Sequence, residues 1–313
     1  MFVSNAFAIA SAFCMALSSM VLSELKGRVP LFQLARWQTL AAFLMTGFVS
    51  LAIGGWRTIG FTQFWLLAAS SLAGIMIAST TYFAAIYTIG PRVTALLFAL
   101  TSPFALALGY LALGETISSR QGLGVALVLC GVALAIAAPS RLLKPDGGVQ
   151  APPASPIVAR AAPAPPRIWR ALGPGIVLGV VTALGQALGS LLARPAMASG
   201  VEPFTGMALR SGLGALFFVA LAAFPFAHGA RSALRGDTVG LVVLSAFVGT
   251  ALGMSFLLAA LQQGNVGLVS TLSSMTPVLI LPMVWIRSGK RPSAPAWLGA
   301  LVAIAGTALI GAR

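Results

Sequence analysis

The stretch Tyr82-Phe83-Ala84-Ala85-Ile86-Tyr87-Thr88-Ile89-Gly90, running on to Pro103, is written a second time further along the chain. Gly90 returns as Gly264, Pro103 as Pro277 and Ala85 as Ala259, each 174 positions later. Working outward, the same offset joins Ser71 to Ser245, Phe43 to Phe217 and Arg36 to Arg210. One inserted residue later, Gly131 pairs with Gly306 at 175. Each copy holds five apolar stretches, an odd number. Two related halves with an odd number of spans must sit in a bilayer in opposite orientations. Inverted repeats of this kind are typical of transporters, with the substrate site near the midplane at the repeat interface.

Composition points the same way. The chain is 58% hydrophobic and 8% charged, against about 25% charged in a soluble domain. Ten candidate spans cover 4–24, 31–54, 64–88, 91–113, 119–138, 172–193, 203–227, 238–262, 265–286 and 295–312. Their 18 to 25 residues suit a hydrocarbon core of roughly 30 Å at 1.5 Å per helical residue. Long spans without alternation must be helices, which satisfy their own backbone groups in lipid. The expected fold is therefore all-α: ten transmembrane helices in two inverted five-helix repeats, 1–138 and 171–313, joined by a Pro/Ala-rich linker at 139–170. The segment Pro139 to Arg170 holds eight prolines and reads as an extended tether that lets the halves pack independently. The first span lacks a basic leader and has a counterpart in the second half, so it is not expected to be a cleaved signal peptide.

The net charge of +14 does not imply nucleic acid. The basic residues are scattered over loops instead of gathered on one face. Cys14 and Cys130 lie mid-span, so neither a disulfide nor a zinc framework is expected. No HExxH, Walker lysine or phosphate-binding glycine loop is present, and with one histidine the chain is not expected to be an enzyme or to carry a cofactor or metal. Setting Arg36 and Arg210 aside, thirteen of the remaining seventeen basic residues follow spans 1, 3, 5, 7 and 9; Arg57, Arg120, Arg194 and Arg313 lie on the other side. That bias places both termini outside.

Several residues could carry chemistry. Arg36 and Arg210 each sit about six residues inside a span, so roughly 9 Å deep. Intramembrane charges tend to face a cavity, where they would bind an anionic group such as a carboxylate. Alternatively they snorkel to the interface or bond helix-end carbonyls. The five acids, Glu24, Glu115, Asp146, Glu202 and Asp237, all lie in loops or at span ends. A carboxylate proton relay needs an acid deep in the bundle, and here none is found. His228 reads as interfacial. The remaining cavity candidates are Trp37, Ser79, Tyr82, Thr101, Ser102, Gln186, Ser255, Ser274 and Thr276. Ser79 and Tyr82 share a face by their spacing, and Tyr82 and Trp37 would meet an apolar group of the substrate. Pro103 and Pro277, deep in their spans, would each free a carbonyl in the preceding turn. They read either as a gate or as static kinks bridged by hydroxyls. Glycines at spacings of four and seven (Gly175/Gly179, Gly185/Gly189, Gly249/Gly253, Gly124/Gly131, Gly299/Gly306) provide close-packing faces, within the monomer or at a dimer seam.

Taken together, Tyr82 to Gly90, Pro103, Leu113-Gly114-Glu115, Gly124 and Gly131 resemble the EamA repeat of the drug/metabolite transporter superfamily. Ala259, Gly264, Pro277, Gly299 and Gly306 resemble its second copy. The resemblance implies a ten-helix transporter whose spans 1–4 and 6–9 line a central cavity, with spans 5 and 10 peripheral. It also implies cytoplasmic termini, against the charge bias. One departure is that Ser288-Gly289 stands where the first copy has Gly114-Glu115. The small multidrug-resistance relatives carry a glutamate in their first span. Here that span offers Ser11, Cys14, Ser18 and Ser19, with Glu24 at its edge. The leading expectation is a multi-pass protein of the cell (inner) membrane, a monomer or homodimer, exporting small polar or amphipathic metabolites such as amino acids by alternating access. The alternative is a non-transporting scaffold or a lipid-handling, flippase-like protein.

Overall fold

The computed structural model describes residues 2–24, 29–137, 168–223, 236–289 and 293–311. The first copy comprises α1 (Phe2–Glu24), α2 (Leu31–Ile53), α3 (Phe61–Ser71), α4 (Ala78–Phe98), α5 (Thr101–Leu113) and α6 (Ser119–Ala137). The second comprises α7 (Ile168–Ala198), α8 (Pro203–Leu221), α9 (Gly236–Ser245), α10 (Met254–Gln263), α11 (Val266–Ser273), α12 (Thr276–Ser288) and α13 (Ala294–Gly311). Six runs of 19 to 26 residues are long and apolar enough to cross a membrane. Three shorter apolar helices, Thr101–Leu113, Ser119–Leu134 and Ala294–Ile310, and the 23-residue α2 complete ten spans among the described residues. The chain thus returns to the face it started from. That face, carrying Phe2 and Gly311, is called here the terminal face. The opposite one, where α6 ends and α7 begins, is the linker face.

The third span of each copy is interrupted by a π-helical turn, at Leu72–Ile77 and at Ala246–Gly253. Both begin one residue past the matched Ser71 and Ser245, so the repeat extends to an irregularity of the backbone. Single π turns often mark functional positions.

The fourth span of each copy is interrupted by a turn part-way along. α4 is helical throughout Ala78–Phe98 but is not straight. Sixteen residues of straight helix would separate Tyr82 from Phe98 by about 24 Å, yet their rings meet edge-on with centroids 5.8 Å apart and both line one cavity, so the element doubles back between them, as the span boundary expected near Gly90 requires. A mid-span turn follows at Ala99–Leu100. In the second copy Gly264 is extended (φ −95°, ψ 150°), as is Asn265 (φ −66°, ψ 139°), and α11 starts afresh. A second turn follows at Ser274–Met275. Pro103 and Pro277 are therefore not kinks inside continuous helices. Both lie in the first turn of a new helix, α5 or α12, where a missing N–H has no intrahelical partner to lose.

The halves do not pack independently, as the linker's composition suggested. They interdigitate. α1 lies against α9, the second π turn, α10, α11 and α12, while α7 lies against α3, the first π turn, α4 and α5. The reason is visible in side-chain size. A Cβ on Gly189 of α7 would come within 2.7 Å of Gly74 Cα, so the two backbones touch. Gly249 and Gly253 likewise admit Ser18 and Cys14 of α1. The two groups so formed, α1 with α9–α12 and α7 with α3–α5, are the two lobes, and α2 packs on α8 between them. α6 and α13 pair at the edge, as the resemblance implied, with a Cβ on Gly131 only 2.5 Å from Gly299 O and one on Gly306 2.6 Å from Gly124 O. These small-residue faces act within one chain.

Candidate functional site

A cavity of about 250 Å³ lies between the lobes. α2 contributes Ala35, Gln38 and Thr39; the first π turn and α4 contribute Gly74, Ile75, Ala78, Ser79, Tyr82 and Phe98. The second copy contributes Thr182 and Gln186 from α7, Met207 and Phe218 from α8, Thr250 from the second π turn and Met254. Apart from Met207, the fifth residue of α8 from the terminal face, these residues run from mid-span toward the linker face.

Of the expected cavity residues, Ser79, Tyr82 and Gln186 line it. Trp37 does not, because it is 40% exposed. At about 100° per residue, Ala35, Gln38 and Thr39 share one face of α2, Arg36 falls a quarter-turn aside and Trp37 points away. Thr101, Ser102, Ser255, Ser274 and Thr276 also lie off the cavity. Ser102 shares a short hydrogen bond with Thr271, joining the mid-span turns of the two copies. Ser274 Oγ donates to Thr271 O at 2.7 Å and Thr276 Oγ1 to Ser273 O at 3.1 Å. Ser255 and Thr101 are buried, and their hydroxyls have no partner. Span 1 and span 9, expected from the resemblance, do not border the cavity either, since α1 is packed into the opposite lobe. Sequence reading missed Gln38, Thr39, Thr182 and Thr250. The usable signal was Thr182 and Gln186 at i, i+4 in an otherwise apolar span.

Arg36 and Arg210 part company. Arg36 is half-buried near the linker-face end of α2. Arg210 is 3% exposed, eight residues into α8 from the terminal face and one turn from the cavity-lining Met207. Its Nε is buried without a hydrogen-bond partner. A Cβ on Gly74 would lie 3.1 Å from Arg210 Nη2 and 3.4 Å from Gln186 Oε1. Since Gly74 and Gln186 line the cavity, the guanidinium stands one atomic layer behind its deep end.

The terminal face is bolted shut between the copies. Ser50 Oγ and Thr205 Oγ1 are 2.5 Å apart. The Glu202 amide donates to Thr58 Oγ1 at 3.2 Å, and Gln63 Nε2 to Ser199 Oγ at 3.2 Å. Ser4 Oγ donates to Ala260 O at 2.7 Å. Glu115 pairs with Arg194 at 3.6 Å and accepts the Val266 N–H at 2.7 Å, capping α11. Burial pushes the Glu115 carboxyl above its usual range, although the Val266 N–H, Arg194 and the Gly267 N–H act against this.

The departure at Gly114-Glu115 is explained here. α5 and α12 match at both ends with an offset of 175, not 174, and Gly114 and Gly289 both close their helix in the left-handed region (φ 64° and 65°). The glycine is therefore conserved between copies and the carboxylate is replaced by Lys290, which lies outside the described residues.

Models of the EamA-like transporter family match this sequence twice, over residues 3–137 and 173–312. The chain belongs to that family. A solved crystal structure of a protein superposes on this transporter-family chain with a TM-score of 0.76, at 16% identity, over 98% of this chain and 95% of its own; at that identity the likeness is one of fold. No curated protein matches the sequence. Membership of the family implies a small-molecule substrate and a multi-pass membrane protein.

Proposed function

We propose that this EamA-family protein is a secondary transporter of the cell (inner) membrane, exporting small polar or amphipathic metabolites, amino acids or related compounds, by alternating access. The observation that carries this reading is the position of the cavity. It is built by both copies, extends toward the linker face, and is sealed from the terminal face by bonds that join one copy to the other. A site reachable from one face, in a fold whose halves are inverted, has a mirror arrangement reachable from the other. Because α1 and α7 are exchanged between lobes, the moving units are not the two halves of the sequence. They are α1 with α9–α12, and α7 with α3–α5.

The test is uptake of radiolabelled amino acids and related metabolites into proteoliposomes holding the purified chain. Saturable flux above protein-free vesicles supports the proposal. Lipid scrambling without solute flux would replace it with the lipid-handling reading. A thermal-shift screen selects the solutes, since a ligand that binds the native state raises its melting temperature.

A further inference from the structure

We infer that the cavity selects a small organic monocarboxylate with an apolar body, and that Arg210 is the group that reads its charge. The inference rests on the transport reading above and narrows its substrate class. Arg210 is buried and positive, with an Nε that meets no acceptor. Among the described residues no carboxylate pairs with it. Glu115 is committed to Arg194 and Val266, and Glu202 to the first turn of α8, where its carboxylate accepts from Phe204 N, Thr205 N and Thr205 Oγ1. A buried charge without a partner is costly in a low-dielectric site, and a ligand carboxylate would offset that cost.

The approach to Arg210 is built in. Gly74 leaves out the one carbon that would crowd Nη2 and Gln186 Oε1. The Gln186 amide has no hydrogen bond among the described residues, so it can turn its Nε2 to a second oxygen. A planar guanidinium with a neighbouring amide suits the two oxygens of a carboxylate. Beyond this end Ile75, Tyr82, Phe98, Phe218 and Met254 supply apolar wall that suits an alkyl or aryl group, interspersed with the polar Gln38, Ser79 and Thr250. No described carboxylate faces the cavity to receive an ammonium, so an acid without an amino group is preferred over a zwitterion.

Calorimetric titration of the full-length protein in detergent tests this, using phenylacetate and isovalerate, each against its neutral amide, and L-phenylalanine. The acids are expected to bind at least about tenfold more tightly than their amides, as a charge-assisted pair in a dry site implies, and phenylacetate more tightly than phenylalanine. Arg210→Gln should bring acid and amide within about threefold of each other while the amide's affinity stays put, and Arg210→Lys should retain part of the preference. Equal binding of acid and amide by the unaltered protein, or no binding of either acid, overturns the inference. So does a parallel loss of acid and amide in both variants with a lowered melting temperature. Flux of neutral solutes alone would leave the transporter reading standing and sink this one.

Discussion

Glu115 is one side chain doing two jobs at a helix start: it caps α11 through Val266 N and holds Arg194. Glu115→Ala should cost about 0.5–2 kcal/mol, the range for a lost N-cap, read as a lower melting temperature. Glu115→Gln keeps an acceptor for Val266 and should cost less, with substantial transport retained because no relay runs through this position. The raised carboxyl gives a pH signature. A folded-state value above the unfolded one means the folded protein holds the proton more tightly. The stability contributed is then full below the ordinary carboxylate value and is lost as pH rises through the raised one. The melting temperature should fall across that window in the unaltered protein, and the fall should flatten in Glu115→Gln. A slope that survives the substitution would assign the titration to another group.

At the scale of elements, the closest helix pair is α6 with α13. A methyl group on Gly131 would meet Gly299 O and Ala303 N at 2.5 Å, backbone atoms that cannot swing aside. Gly131→Ala and Gly306→Ala should each destabilise by about 1–3 kcal/mol, the usual result of overpacking. Neither residue lines the cavity, so ligand affinity in the surviving protein should hold. If either variant instead left the melting temperature unchanged and dissociated a dimer on size exclusion, the glycine seam would be intermolecular.

For the whole molecule, alternating access requires the terminal face to open. Ser50 and Thr205 bring two short side chains within 2.5 Å across the copies, a geometry compatible with a disulfide. In a background lacking Cys14 and Cys130, oxidised Ser50→Cys/Thr205→Cys should bind ligand but carry no flux, and reduction should restore it. Undiminished flux through the oxidised protein would mean this face need not part. Topology offers a second check. Arg57 lies in the short helix Gly55–Thr58 on the terminal face, and Arg231 falls outside the described residues. Cysteines in these two loops should label from opposite sides of the membrane, and labelling from one side would sink the inverted repeat.

The sequence by itself determined the membrane, the ten spans and the inversion, because each follows from local quantities. Apolar length sets the spans, and an odd count per repeat sets the orientation. The matched pairs Ser71/Ser245, Gly131/Gly306 and Arg36/Arg210 were legible for the same reason. The tertiary structure decided what depends on rotation and on partners distant in sequence. A span that is apolar all round does not announce which side faces inward, so the sequence points to Trp37 as a lining residue where the fold turns Gln38 to the cavity. Position in a span does not reveal whether a proline sits inside a helix or opens one, so Pro103 and Pro277 changed role. The two arginines are equal in the sequence. They differ in the fold because the terminal face is closed over Arg210 while the cavity extends toward the linker face near Arg36, an asymmetry that a duplicated sequence cannot encode locally and that only the packing of one copy against the other creates.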